Sequence, residues 1–176
     1  MATHNDYKRL NLKCRRYFEL AKTEGAIPNN LTIDEENKKR FGFYYLVLQN
    51  ILEIDDFSAI TNIITDQDFN AKIFKLSNQD EGIDAVYIDE DTKNISLFNF
   101  KYRTKWNVDK EQSINETIIS SKYLNILQTE NNTLDGKLKE FTDLIIEKNQ
   151  SDEVWNTLNF LRIIKMLVVS IAYHNN

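Results

Sequence analysis

The sequence predicts an α/β fold: a mixed β-sheet flanked by helices, with an extra helix at the N-terminus. Three observations carry this. Residues 82–89 (GIDAVYID) and 94–102 (NISLFNFKY) are rich in β-branched and aromatic side chains and are joined by the polar EDTK, which reads as a β-hairpin. Several other stretches repeat apolar residues at spacings of three and four, the helical period. Only 4 glycines and 1 proline occur in 176 residues, too few to punctuate a many-stranded sandwich.

The elements follow in order. Tyr7, Leu10, Cys14, Phe18 and Ala21 make one apolar stripe on a helix over residues 4–23, with most basic residues on other faces. Gly25 and Pro28 mark a loop. A capping box, Thr32-x-x-Glu35, opens a second helix that runs to about Glu53. It is apolar almost all round from Phe41 to Leu48, so it should be buried, with Gly42 allowing close packing against a sheet. Asp55 or Asp56 caps a short helix over 57–64. Residues 65–82 are ambiguous, since AKIFKLS reads as a first strand or as more helix. After the hairpin, Asn107 or Asp109 opens a long helix to about residue 129, with Ile114, Ile118, Ile119, Tyr123 and Ile126 inward. Leu134, Leu138, Phe141 and Ile145 mark another helix, and Ser151 caps a short one with Trp155 and Leu158. IIKMLVVSIAY then reads as a buried strand over about 162–172, with helix open as an alternative. One domain is expected over 1–176: an N-terminal helix and loop (1–30), then an α/β core (31–176) with a helical insertion at about 131–160.

Composition narrows the function classes. Hydrophobic residues at 41% and charged residues at 28% are ordinary for a globular chain. The lone Cys14 excludes an internal disulfide and zinc-ligand spacing, and its place on the apolar stripe reads as core. The N-terminal MATHNDYKRL is polar, without signal-peptide character, and no apolar run is long enough to span a bilayer, so the expected setting is cytoplasmic, with no membrane partner. Both histidines, His4 and His174, lie near the termini and leave little for a histidine-based triad. There is no Gly-rich phosphate loop. The net charge of −5 does not suit a uniformly basic nucleic-acid binder, but the charge is uneven. Lys8, Arg9, Lys13, Arg15, Arg16 and Lys22 against Glu19 give +5 over residues 8–22. Lys101, Arg103, Lys105 and Lys110 against Asp109 give +3 over 98–110, just after a −6 run of Asp80, Glu81, Asp84, Asp89, Glu90 and Asp91. An acidic cluster beside a basic one suits a metal site next to a phosphate track; solvated surface is the alternative.

The hairpin carries the candidate site. With the turn at 89–94, Ile88 faces Ile95, Val86 faces Leu97 and Asp84 faces Asn99, with Cβ atoms roughly 5 Å apart. Strand alternation puts Asn99 and Lys101 on one face. A slip of one residue would bring Phe100 opposite Asp84 instead. A carboxylate and an amide oxygen are hard ligands for Mg²⁺, and an ammonium two residues along can hold a water or counter charge on a phosphate. A structural Asp84–Lys101 ion pair on an exposed rim is the plainer reading of the same residues.

The stretch DEGIDAVYIDEDTKNISLFNFKY (80–102) resembles the N-terminal nuclease-like domain of AIPR (abortive infection phage resistance) proteins, which look like members of the PD-(D/E)xK restriction-endonuclease-like superfamily. The motif is Gly82-Ile83-Asp84, a hairpin, then Lys101-Tyr102; by order of elements the likeness extends over about 33–130. The resemblance implies a restriction-endonuclease-like core, with Asp84 as the metal-binding aspartate, Lys101 as the catalytic lysine and the Phe100 backbone carbonyl as a further ligand. Asn99 stands where the family has Glu, Asp or Gln; it lends an oxygen without charge. Glu36, in the first turn of its helix, is the nearest candidate for an additional glutamate. The implied activity is Mg²⁺-dependent endonuclease-like cleavage of nucleic acid, DNA rather than RNA, in phage defence. The rival is a nuclease-fold module without catalysis that binds nucleic acid or a protein, and Asn99 favours it. Arg103 and Lys105 with Tyr102 and Trp106 would then meet phosphates and stack on bases, or serve simply as rim and core. A third reading is an interaction domain that forms a homodimer through its C-terminal strand.

Overall fold

The computed structural model describes residues 3–77, 79–104, 115–129, 134–150 and 157–164. Among them are six helices and three strands: α1 (His4–Thr23), α2 (Glu35–Leu52), α3 (Phe57–Ile63), α4 (Gln67–Phe74), β1 (Ala85–Asp89), β2 (Asn94–Lys101), α5 (Asn115–Thr129), α6 (Gly136–Gln150) and β3 (Thr157–Ile164). The strands make one sheet in the order β1–β2–β3, and β1 and β2 pair antiparallel. The chain is thus a mixed α/β protein, and no described helix is long and apolar enough to cross a membrane. Its contacts fall into two units: the described residues of 1–62, 100–108 and 162–176, and those of 63–99 and 109–161.

In the first unit, α1 starts at a Thr3–Asp6 capping box and buries the stripe of Tyr7, Leu10, Cys14, Phe18 and Ala21 that periodicity picks out. The cap of α2 is Asp34, whose carboxylate accepts the Asn37 backbone N–H at 2.8 Å, so the helix begins at Glu35 rather than inside a Thr32 box. Aspartate is as good a cap as any residue, and its position one before Glu35 decides the start. Phe41, Gly42, Phe43, Tyr44 and Tyr45 are buried in succession, which takes in every face of the helix. Tyr44 stacks on Phe100 at 4.6 Å between ring centres, and the Tyr45 hydroxyl bonds Thr61 Oγ1 at 2.6 Å. Gly42 does permit a close approach, but to α1 and not to a sheet. A Cβ there would lie 1.7 Å from the Cys14 carbonyl oxygen and 2.6 Å from its carbon. The two helix backbones meet where only hydrogen fits.

In the second unit the hairpin has the expected register, Ile88 opposite Ile95 and Val86 opposite Leu97. Asp89 closes its turn by accepting from the backbone N–H groups of Asp91 and Thr92 at 3.0 and 3.1 Å. Val86, Ile95 and Leu97 form a core with Ile83, Tyr123 of α5, Leu134, and Leu138 and Ile145 of α6; Ile88, Ile126 and Phe141 pack at its margin. Burial pushes the Tyr123 hydroxyl pKa up to about 12, and that hydroxyl is bonded to Thr142 Oγ1 at 2.9 Å. The expected inward Ile114 and the start of the long helix lie outside the described residues.

Two ambiguous or misplaced segments resolve here. The AKIF of residues 71–74 is the end of α4, and among the described residues an isolated antiparallel bridge joins Ile64 to Ala85 of β1. The C-terminal strand begins at Thr157, so Leu158 is in a strand and not in a short helix, and the described part of the expected 162–172 span, residues 162–164, is strand. The run TLNFLRII is itself rich in Thr, Phe and Ile, and these side chains favour strand. Ser151, Trp155 and residues 165–172 lie outside the described residues.

The Gly42 contact makes a prediction. Gly42→Ala should lower the unfolding free energy by at least about 2 kcal/mol, because the methyl meets backbone that cannot rotate away. Urea melts of the two proteins measure it; a loss under about 0.5 kcal/mol, the range of a neutral surface change, would contradict the close approach.

Candidate metal centre

The site grows out of one face of the hairpin. Successive pairs on that face are Ile88 with Ile95, then Val86 with Leu97. Just before the first ladder pair, Ala85 with Phe98, the Asp84 backbone N–H donates to the Phe98 carbonyl at 2.8 Å, and the Asp84 and Asn99 side chains meet. The expected register holds over Ala85–Asp89; Asp84 precedes the strand and meets Asn99 through its side chain. Both side chains are 7% exposed, at the end of an apolar face.

Two further segments are tied to this corner. The backbone N–H groups of Thr65 and Asp66 both donate to the Asp84 carbonyl, at 2.9 and 3.1 Å. The Thr65 hydroxyl donates to the Ile83 carbonyl. Asp66, held there, caps α4 by accepting the Phe69 N–H. The other segment is a tight turn, Asp80 to Ile83, closed by the Ile83 N–H on the Asp80 carbonyl at 2.6 Å. Its central residues, Glu81 and Gly82, have φ of +44° and +77°, the signs of a type I′ turn, which glycine takes without strain. Asp80 accepts from the N–H of Gly82 and of Gln67, each at 2.9 Å.

The result is that Asp66, Asp80 and Asp84 bring carboxylate oxygens within 4.8 Å of one another, Asp66 and Asp84 buried and Asp80 half-buried. Such a group could hold a metal ion. Like charges this close repel, and a cation among them reverses the sign of the interaction. Carboxylate oxygens are the ligands that hard divalent cations take. A carboxylate accepts up to about four contacts, so capping a turn and binding a cation are compatible.

Asn99 plays a part that its sequence position does not reveal. Its Nδ2 donates to the Gly82 carbonyl at 2.7 Å and to Asp84 Oδ2 at 3.3 Å. The group facing a carbonyl and a carboxylate must be the NH₂, because the amide oxygen there would meet two acceptors.

The other expected site residues are counted in the first unit or lie outside the described residues. Lys101 is the half-buried last residue of β2 and, with Phe100, is counted in the first unit. Glu36 is exposed in the first turn of α2, bonded to Lys39 at 2.7 Å, and is not one of the clustered carboxylates. Arg103 is half-buried, and its carbonyl accepts from the Tyr7 hydroxyl. The Tyr102 ring lies 6.3 Å from that of Phe43, a core contact. Lys105 and Trp106 lie outside the described residues. Conversely, sequence reading missed Asp66 and Asp80 as partners of Asp84. Faint signals exist: Asp80-x-Gly82 has the form of a turn, and Thr65-Asp66 precedes the apolar positions of a short helix.

The chain matches no protein-family model, no curated protein and no solved structure. What the site does must therefore be argued from its own chemistry.

Asp66 has two separable jobs, cap and charge. In chelator, Asp66→Ala should cost about 1 kcal/mol through loss of the α4 cap. Asp66→Asn keeps a capping oxygen and removes a negative charge, so it should be at least as stable as wild type. Urea melts in EDTA compare them; an Asn variant as unstable as the Ala variant would show that the charge does not strain the cluster.

Proposed function

We propose that the Asp66–Asp80–Asp84 cluster is a Mg²⁺ site and that the chain is a metal-dependent nucleic-acid phosphodiesterase built on a restriction-endonuclease-like core. The observation that carries this is the convergence of three carboxylates on the aspartate that the hairpin motif singles out. Oxygens on opposite sides of a Mg²⁺ ion are about 4.2 Å apart, so a cluster spanning at most 4.8 Å closes on it with small side-chain rotations. Asp66 and Asp80 also supply the negative charge that Asn99 lacks.

A bound Mg²⁺ would polarise a phosphoryl oxygen and make a coordinated water more acidic. The three aspartates hold the cation. The resemblance gives Lys101 the catalytic lysine's role, in which an ammonium counters the charge of a phosphate under attack. DNA rather than RNA as substrate, and phage defence as setting, rest on the resemblance alone.

Asn99 favours a second reading. It donates to Asp84 instead of adding a second hairpin carboxylate, which is what a nuclease fold that binds nucleic acid or a protein partner without cutting would show. Cleavage separates the two readings, since both keep the fold.

Mg²⁺ at ten times its dissociation constant should stabilise the protein by about 1.4 kcal/mol, a rise in melting temperature of about 3–5 °C for a chain of this size. Asp84→Ala should remove that rise and abolish any cleavage of DNA. Lys101→Ala should keep the rise and slow cleavage at least about 100-fold. A melting temperature indifferent to Mg²⁺ rules out the cation site; a Mg²⁺ response without cleavage of DNA or RNA leaves the binding module.

A further inference from the structure

We infer that Asn99 is a positioning residue, which holds the Asp84 carboxylate by donating to it and does not lend its own oxygen to a cation. The inference rests on the cation-site reading and changes which residues make it. Hard ligands beside Asp84 would come from Asp66 and Asp80, on the loop before α4 and on the turn before β1, and not from the neighbouring strand.

The Gly82 carbonyl decides the matter. It lies 2.7 Å from Asn99 Nδ2, the stronger of the two bonds that nitrogen makes. Turning the amide over would set its oxygen against the Gly82 carbonyl and against Asp84 Oδ2, losing two hydrogen bonds and creating two repulsions in a corner that is 7% exposed at both residues. Gly82 cannot easily retreat. It sits at φ +77° in a turn closed by the Ile83 N–H on the Asp80 carbonyl, and its own N–H is held by Asp80. One amide thus links three parts of the site: β2, the turn that carries Asp80, and the Asp84 side chain. A neighbour that fixes a ligating carboxylate by hydrogen bonding commonly changes metal affinity by about 10- to 100-fold when removed. An aspartate at position 99 would have no proton to give either acceptor, which explains why an amide serves here.

The test has two arms on the full chain. The first is metal-free: hydrogen exchange of the Asn99 side-chain NH₂ in ¹⁵N-labelled protein, in EDTA. Slow exchange is expected, and Asp84→Ala should speed it several-fold; no change would overturn the bond. The second is calorimetric titration with Mg²⁺. Asn99→Leu, similar in size but without a donor, should bind about 10- to 100-fold more weakly while remaining folded, and Asn99→Ser, too short to reach both acceptors, should weaken binding likewise if the leucine variant does not fold. Wild-type affinity in the folded variant would overturn the positioning role. So would Mg²⁺ speeding the wild-type NH₂ exchange to the rate seen in Asp84→Ala, since the amide would then have let go of Asp84. Wild-type protein that takes up no Mg²⁺ overturns the cation reading itself, a result distinct from uptake that Asn99 does not affect.

Discussion

Both backbone groups of Asp84 are committed, in opposite directions. Its N–H reaches the Phe98 carbonyl of β2, and its carbonyl receives the N–H groups of Thr65 and Asp66. A residue so held cannot shift along the strand without breaking three hydrogen bonds, each costly to leave unmade when buried. Everything at the site depends on that anchorage. The bond to Phe98 sets Asp84 beside Asn99, whose amide reaches its carboxylate, the donated bonds bring Asp66 alongside, and the turn one residue upstream delivers Asp80. Two of the three carboxylates are therefore positioned by main-chain bonds made for the fold.

The same corner shows how an apolar sheet face can end in chemistry. Ile88·Ile95 and Val86·Leu97 pack on α5 and α6, and beyond the end of the ladder the Asp84 and Asn99 side chains meet. Buried polar groups are tolerated only when paired, and here the pairing is thorough. The amide satisfies a turn carbonyl and a carboxylate, and Asp80 caps its turn and Asp66 caps α4 while facing Asp84. Glu81 takes a positive φ of +44° in the turn, a conformation that disfavours any residue with a Cβ. The turn keeps that strain next to the cluster, and the Lys122 ammonium lies 3.3 Å from the Glu81 carboxylate.

Much of the fold was legible because it is written in periods. The α1 stripe, the buried α2 and the hairpin register all follow from spacings of three, four and two, and the polar EDTK fixed where the hairpin turns. The site was half legible. Asn99 lies on β2 and Asp84 immediately precedes β1, close enough to the ladder for alternation to say that the two side chains meet. Asp66 and Asp80 reach the same point through a loop and a turn, whose paths leave no period in the sequence. Gly42 announced a close approach but not its partner, since a missing side chain says nothing about which backbone comes near. The last strand starts at Thr157, earlier than the apolar run at 162 suggested, because Thr157-Leu158 at its start also suits a helix end and composition alone could not set its frame.

The central claim is that Asp66, Asp80 and Asp84 hold one divalent cation. It is tested most directly by growing crystals with Mn²⁺, which takes the same oxygen ligands as Mg²⁺, and locating the metal by its anomalous scattering. The account predicts one peak within coordination distance of all three aspartates, with the Asn99 nitrogen still turned toward Asp84 and the Gly82 carbonyl. A peak bound elsewhere, or no peak with the three carboxylates held apart by lysine or water, would contradict it.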